Sequence, residues 1–437
     1  MTDEPEWPRP ELVVDNTAVP AGPVHWTSLL ATTREGPRNS LSNVLIALRS
    51  APSLKGRIGF DDMQRCTVLL RPLPYRARFE PKPFVIRPIT DIDIGAIQEW
   101  LQINAMPTIG QDVCHQAVEV HAAANKFHPV RDWLDGLVWD GVPRLDDWLS
   151  TYAGVVSTPY SRGVGKMFLL SMVARIYEPG CKVDNMVVIE GPQGAAKSTL
   201  CEILATRDYF SDSLPDIRHG GKDLSQHLSG KLLIEVSELS AMSNADSESL
   251  KSFLSRREER YRPPYARRDI IAPRQCVFVG TTNKESYLHD ETGARRYWPI
   301  LCGIIDLSGL RRDREQLFAE ALARYRLGDH WYPTREFEAE HIAPQQAGRF
   351  CEDAWESVIN QWLSDIPPST QVTIQAIGAE CLGLELSRHT RADSNRIVKI
   401  LRRLGWTKGP LLDGRPRYHS PKGWKWSAKS LESQDVF

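Results

Sequence analysis

Apolar positions change their spacing along the chain, and each change predicts an element. Leu41, Val44, Leu45 and Leu48 recur at helical intervals, which predicts a helix over 40–48. Residues 65–70 (RCTVLL) and 84–86 read as short strands, and 111–152 as helical, with Trp133, Trp139 and Trp148. From 183 onward short β-branched runs at 186–189, 232–236 and 276–280 alternate with helical stretches. Runs this short and this apolar suit strands buried on both faces of a parallel sheet, so the class is α/β. A helical stripe of Leu317, Phe318, Ala321, Leu322 and Tyr325 follows over 311–326, and 328–345 reads as a linker. Beyond it lie helices at 374–384 and 392–404, the second burying Ile397, Ile400, Leu401 and Leu404, with a turn at 387–390 between them. Two strands over 406–418 flank Asp413-Gly414, a strong hairpin signal. Helix, turn, helix and hairpin in that order is a winged-helix plan. The expected organisation is a flexible 1–23, a small mixed α/β domain at 24–110 and a helical, collar-like 111–155. An α/β core at 156–335 and a winged helix with tail at 346–437 complete it.

Composition narrows the class. The chain has 437 residues, 41% hydrophobic and 25% charged, with a net charge of −1. That length predicts roughly two to four domains with real cores, and excludes a disordered chain, a collagen repeat and a disulfide miniprotein. The N-terminus, MTDEPEWPRPEL, has neither the basic nor the apolar region of a secretory leader. No run approaches the ~18 apolar residues of a membrane helix. The eight cysteines are scattered without a CxxC pair, as expected of reduced core thiols in the cytoplasm.

The sharpest motif is Gly191-Pro192-Gln193-Gly194-Ala195-Ala196-Lys197-Ser198-Thr199, directly after an apolar strand and opening a helix. In a P-loop, backbone N–H groups and the helix N-terminus cradle the phosphates of ATP. Lys197 then reaches the β- and γ-phosphates, and the Ser198 hydroxyl holds Mg²⁺. Ala196 departs from the usual pattern, which has glycine before the lysine. If the position takes positive φ, alanine costs about 1 kcal/mol. The next strand ends in Glu235 and Glu238, three residues apart. Glu235 suits the metal and Glu238 the attacking water. The third strand runs into Asn283, an amide able to meet the γ-phosphate or the water. Arg295 and Arg296 follow a glycine turn, and either is a candidate arginine finger reaching a neighbouring subunit.

Taken together, the sequence resembles the virulence-associated protein E family of phage and mobile-element P-loop ATPases, related to superfamily III helicases. The resemblance covers about 110–335. It rests on Asn125-Lys-Phe-His128-Pro-Val-Arg-Asp132, Trp139-Asp-Gly-Val-Pro-Arg144-Leu, the loop after Val183-Asp, Glu235-Val-Ser-Glu238-Leu and Lys251-Ser-Phe-Leu. Tyr261-Arg262-Pro-Pro-Tyr265, Gly280-Thr-Thr-Asn283 and Arg295-Arg296-Tyr-Trp298 extend it. It implies an AAA+-like P-loop core behind a helical N-terminal region, ATP hydrolysis and a replication-associated helicase. Lys197 and Ser198 then carry phosphate and Mg²⁺, Glu235 and Glu238 are the Walker B acids, Asn283 is the sensor, and Arg295 or Arg296 the finger. Many relatives carry a primase domain, but the short N-terminal segment here shows no polymerase carboxylates, so priming is not expected.

Two basic zones suggest where DNA would touch. Residues 251–274 hold eight basic against three acidic residues, net +5, with Tyr261 and Tyr265 interleaved. Lys251, Arg262, Arg267 and Arg268 are the candidate contacts, phosphate binding and base stacking being the chemistry of a strand-tracking loop. Superfamily III enzymes carry their pore loop in the corresponding insert. Residues 388–425 hold eleven basic against two acidic residues, net +9. There Arg391, Arg396, Lys399, Arg402 and Arg403 are expected on the recognition helix, and Arg415 and Arg417 on the wing. The expected function is an ATP-dependent, helicase-like motor for phage or mobile-element replication, acting as a homo-oligomeric ring, a hexamer, without a membrane. Its rivals are an ATP-switched initiator or loader that binds DNA without unwinding, and a mobile-element interference ATPase. His128, preceding Pro129, is expected to cap or pack rather than to bind metal.

Overall fold

The computed structural model describes residues 25–76, 80–218, 220–237, 239, 244–262, 268–288, 294–350, 353–367, 370–385, 388–412, 415–422 and 424. The chain divides into two compact units, Met1–Arg349 and Phe350–Phe437.

The first unit opens with a small α/β layer. Helix α1 (Leu41–Ser50) starts where Ser40 accepts a hydrogen bond from the Asn43 N–H. Strands β1 (Ile58–Asp61) and β2 (Cys66–Leu69) form a hairpin, and β3 (Arg87–Pro88) adds to its edge. Pairing therefore begins at Arg87, later than the expected 84–86, and Pro88 is tolerated because the strand lies at the edge. Helix α2 (Asp91–Asn104), which starts on a reciprocal capping box between Thr90 and Asp93, packs against α3 (Gln111–Ala123), and α3 covers this sheet. The short β4 (Lys126–Phe127) pairs parallel to β1, which ties the layer to the helices beyond Phe127.

His128 caps α4 (Pro129–Gly136): its Nδ1 accepts from the Arg131 N–H at 3.1 Å. After α5 (Trp148–Ala153) comes α6 (Pro159–Tyr177), a helix apolar around most of its circumference because it runs through the main core. The central sheet is built from β5 (Met186–Glu190), β6 (Phe210–Ser211), β7 (Leu233–Val236), β10 (Val277–Thr282) and β11 (Tyr297–Leu301), all parallel. Its spatial order is β11-β5-β10-β7-β6. Helix α7 (Lys197–Ala205) follows β5, α8 (Gly221–His227) lies between β6 and β7, and α10 (Leu307–Arg326) packs against α6 and α7. Between β7 and β10 the chain forms α9 (Asn244–Leu254) and an antiparallel ribbon, β8 (Glu258–Tyr261) with β9 (Ile270–Pro273). The expected linker at 328–345 is instead helical from Arg335 to Ala347, with Ile342 buried and Gln346 donating to the Tyr297 carbonyl at 2.8 Å. Its charged surface hid an apolar anchor.

The second unit has its own core of Ile359, Leu363, Ile377, Ile397, Ile400, Leu401, Trp406 and Tyr418. Helix α11 (Ala354–Ser364) precedes β12 (Val372–Thr373) and two helical turns reaching Cys381. Helix α12 (Arg391–Arg403) then leads into β13 (Thr407–Leu412) and β14 (Arg415–His419), in antiparallel order β12-β14-β13. The Asp413-Gly414 turn, Ser387, the N-terminal 1–23 and the tail beyond Trp424 lie outside the described residues.

Candidate functional site

Parallel register sets three strand ends side by side. Thr282 pairs with Glu190, and Val279 and Gly280 pair with Glu235 and Val236, so the carboxyl ends of β5, β10 and β7 lie adjacent. In open α/β sheets this edge is where ligands bind. The loop 191–196 leaves β5 there. Gly191 has φ 156°, and a Cβ on it would meet the Cys302 Sγ at 2.7 Å; Gly194 has φ 82°. Ala196 is the N-cap of α7 at φ 58°, ψ 29°, in the left-handed region, with no side-chain acceptor for the first-turn N–H groups. Holding a non-glycine residue there costs about 1–2 kcal/mol. The chain holds this left-handed turn before α7 with an alanine in place of a glycine.

Lys197 folds back over this loop, its Nζ donating to the Gly191 and Pro192 carbonyls, both at 2.8 Å. The Ser198 hydroxyl donates to Glu235 Oε1 at 2.9 Å, and the Thr281 hydroxyl to the same oxygen at 2.5 Å. Glu235 is 2% exposed, and its Oε2 is buried without a hydrogen-bond partner. A buried, half-satisfied carboxylate beside a hydroxyl is a group arranged for a further ligand. Among the described residues no cluster of three or more His, Cys, Asp or Glu exists, so a metal here would take the rest of its ligands from phosphate and water. Pro192, Gln193 and Gly194 are exposed, Ala195 and Thr199 half-buried, and Asn283 is exposed directly beyond β10. Glu238 lies outside the described residues.

The two arginines stand elsewhere. Ala294–Arg296 is a short turn leading into β11, and β11 pairs Tyr297 with Met186 and Leu301 with Glu190. Arg295 and Arg296 therefore lie at the amino end of the sheet. The loop 191–196 is at the other end, about 13 Å away along the strand at 3.3 Å per residue. Arg295 is exposed, while the Arg296 Nε donates to Ser255 Oγ at 3.2 Å. Neither is positioned for its own loop.

The ribbon leaves from the same amino end. Its base is fastened by Arg274, buried against Glu259 at 2.6 Å and stacked 4.2 Å from the Phe253 ring centre, and by Arg257, which donates to the Gly180 carbonyl. Arg262 and Arg268 are exposed at the outer end of the ribbon. Lys251 is not presented to a strand: it is 5% exposed on α9 and pairs with Glu248 at 3.0 Å. Helical periodicity alone does not reveal that this face packs inward. Arg267 lies outside the described residues.

On α12, Arg391, Lys399 and Arg402 are exposed and fall within ~80° of one another on the helical wheel, opposite Ile397, Ile400 and Leu401. Arg396 is committed to the fold: it grips Asp353 with two nitrogens and lies 3.9 Å from the Trp355 ring centre. The Asp353 bonds lead the causes that raise its pKa. Arg403 pairs with Glu356 at 3.1 Å. Arg417 on β14 is half-buried, its Nε buried without a partner, and Arg415 opens the same strand.

Three contributors escape a reading of the sequence: Thr281, Glu190 and Arg349. Glu190, the last residue of β5, accepts from the Tyr287 hydroxyl at 2.9 Å and from the Arg349 guanidinium at 3.0 Å. An acid closing an apolar strand was a visible signal. Its partner 159 residues on was not. Among the described residues no helix is long and apolar enough to cross a membrane.

Residues 134–350 match the Virulence-associated protein E-like domain. Two solved structures of the NrS-1 C-terminal region are also similar. Its apo structure is 12% identical with a TM-score of 0.45, over 83% of this chain and 95% of that one. Its A-form apo structure is 13% identical with a TM-score of 0.46, over 83% and 96%. No curated protein matches.

Proposed function

We infer, from a chain whose residues 134–350 form a virulence-associated protein E-like domain, that it is an ATP-hydrolysing, helicase-like motor of phage or mobile-element DNA replication. The observation that carries this is the joint of Lys197, Ser198 and Glu235 at the carboxyl edge of the sheet, with the Glu235 Oε2 left unbonded. The residues present fit Mg²⁺ and a triphosphate. Ser198 Oγ and Glu235 would hold the cation, and the first-turn N–H groups of α7, freed of any side-chain cap, would take phosphate oxygens. Mg²⁺ bound there supplies charge neutralisation to the phosphates. The chain's own part is to swing Lys197 off two carbonyls onto phosphate, to hold Glu235 through Thr281 once Ser198 turns away, and to present Asn283 at the same edge. Glu238 is assigned to the attacking water by its place after β7. AAA+-like chemistry of this kind needs a cation from outside, because Arg295 and Arg296 lie at the wrong end for their own loop. That supports a ring in which one copy's arginine completes the next copy's site.

DNA is assigned to two surfaces. The ribbon, with Arg262 and Arg268 exposed, is read as the pore element that follows one strand. The second unit is read as a winged helix whose Arg391, Lys399 and Arg402 face meets phosphates. The test is ATP hydrolysis with and without single-stranded DNA, alongside strand displacement. Stimulation and unwinding are expected in the wild type, with both reduced to background in Lys197→Ala and Glu235→Gln. Duplex binding by an assembled ring that never unwinds would replace the motor with an initiator or loader, and a wild type that binds no nucleotide would end the reading.

A further inference from the structure

Glu190 is an awkward residue to find where it is. It is 4% exposed and directly precedes the loop assigned to phosphate, so its negative charge sits beside the site of a triphosphate. A carboxylate buried this deeply needs a partner, and the nearest lysine in the chain is the one the phosphates need. Lys197 runs past this point: its Cδ is 3.9 Å from the place a Gly191 Cβ would occupy.

The structure gives Glu190 a different cation. Arg349 meets it side-on, Nε to Oε1 at 3.0 Å and Nη2 to Oε2 at 3.0 Å. The fork is itself held, since Nη1 donates to Gln345 Oε1 at 2.9 Å and to the Gln345 carbonyl at 3.2 Å. Tyr287 supplies a third donor through its hydroxyl, and the N–H groups of Tyr287 and Leu288 both donate to the Arg349 carbonyl. Burial opposes the charge on Arg349, but its bonds to Glu190 outweigh this and the pKa is raised. One residue at the end of the first unit thus ties together the start of the loop and the segment following Asn283.

We propose that Arg349 is a positioning residue of the nucleotide site, which neutralises Glu190 so that Lys197 and the loop N–H groups stay available to phosphate. This rests on the nucleotide reading. Without the guanidinium, the Glu190 carboxylate draws the Lys197 ammonium off the loop and repels the incoming triphosphate. The defect is then one of affinity, and it disappears when the carboxylate disappears.

The experiment measures binding of a fluorescent ATP analogue with Mg²⁺, together with kcat at saturating ATP, on the full chain. Arg349→Gln should weaken binding ~10-fold or more while kcat falls much less. The double variant Arg349→Gln/Glu190→Gln should return to within ~3-fold of the wild type, although it has lost two native groups. Arg349→Lys, which keeps the charge, should bind nearly as the wild type does. A double variant as weak as Arg349→Gln overturns the proposal, because it makes the pair a packing element only. Should the variants that lose Arg349 fail to fold, Glu190→Gln alone decides: binding equal to or tighter than the wild type supports the role, and weaker binding refutes it. Wild-type protein that binds no ATP would instead remove the nucleotide reading itself.

Discussion

Individual residues here are often held in the less comfortable of two states, and two of them do so in opposite senses within one small region. Asp61 ends β1 and is 3% exposed; burial pushes its carboxyl up to about 6, against the bonds it accepts from the Met63 and Gln64 N–H groups. His128, also 3% exposed, is pulled down to about 4 by burial, with Arg131 adding to the effect. The folded state therefore holds the Asp61 proton more tightly than the unfolded chain, so Asp61 contributes stability below about pH 4 that is lost as the pH rises through 6. For His128 the unfolded chain binds the proton more tightly, and stability is gained as the pH rises from about 4 to 6.5. The two slopes largely cancel in the wild type. Asp61→Asn should rise in stability from pH 4 to 6.5 more steeply than the wild type, by ~2–3 kcal/mol over the window. His128→Asn, which keeps a cap acceptor for Arg131, should show the reverse difference. Urea unfolding at four pH values checks both, and parallel curves for all three proteins would refute the assignment.

At the scale of elements, the same residue type serves two purposes that only packing separates. Arginines at 396 and 402 lie on one helix, yet one is clamped by Asp353 and Trp355 while the other faces outward. Arg396→Ala should therefore cost about 1 kcal/mol of stability, discounted for its part-exposed setting, and leave the salt dependence of DNA binding unchanged. Arg402→Glu with Lys399→Glu should leave the melting temperature within a degree or two and flatten the plot of log affinity against log salt. A slope altered by Arg396→Ala but not by the outward pair would invert the two roles. The ribbon follows the same logic, with Arg274 and Arg257 building its base and Arg262 and Arg268 left exposed.

Over the whole molecule, the net charge of −1 conceals two cationic zones, and packing trims both. Lys251 and Arg274 are withdrawn from the first and Arg396 is paired within the second, so the free cationic surface is narrower than the residue totals imply. The sheet also has a direction: loop chemistry at the carboxyl edge, ribbon and paired arginines at the amino edge. If Arg295 or Arg296 serves the loop at 191–196, as proposed above, it must do so for the loop of another copy. Mixing Lys197→Ala subunits with Arg295→Ala or Arg296→Ala subunits, each inactive alone, should restore part of the ATPase, since some mixed interfaces pair an intact loop with an intact arginine. Mixtures that stay at background across all ratios would remove the arginines from that role.

How much was legible in the sequence depends on the range of the interactions involved. Strand 186–189, the turn at 191–196, the helix it opens, the cap at His128 and the hairpin strands around 413–414 depend on neighbours within a few residues, and the spacing of residue types determined them. The motif makes positive φ at Ala196 a condition rather than a certainty, and the structure meets that condition at φ 58°. The tertiary structure alone decided what depends on pairing across the sheet: which strand tips lie side by side, that Ser198 and Thr281 share one oxygen of Glu235, and that Arg349 stabilises Glu190. It also decided which lysines and arginines are structural, because a long charged side chain looks alike in sequence whether it ends in water or beside a buried carboxylate. The helical stretch 335–347 was misread for that reason, its polar residues outnumbering the buried Ile342 that anchors it. Local composition specifies a segment's shape. What a charge is for depends on the partner the fold brings to it.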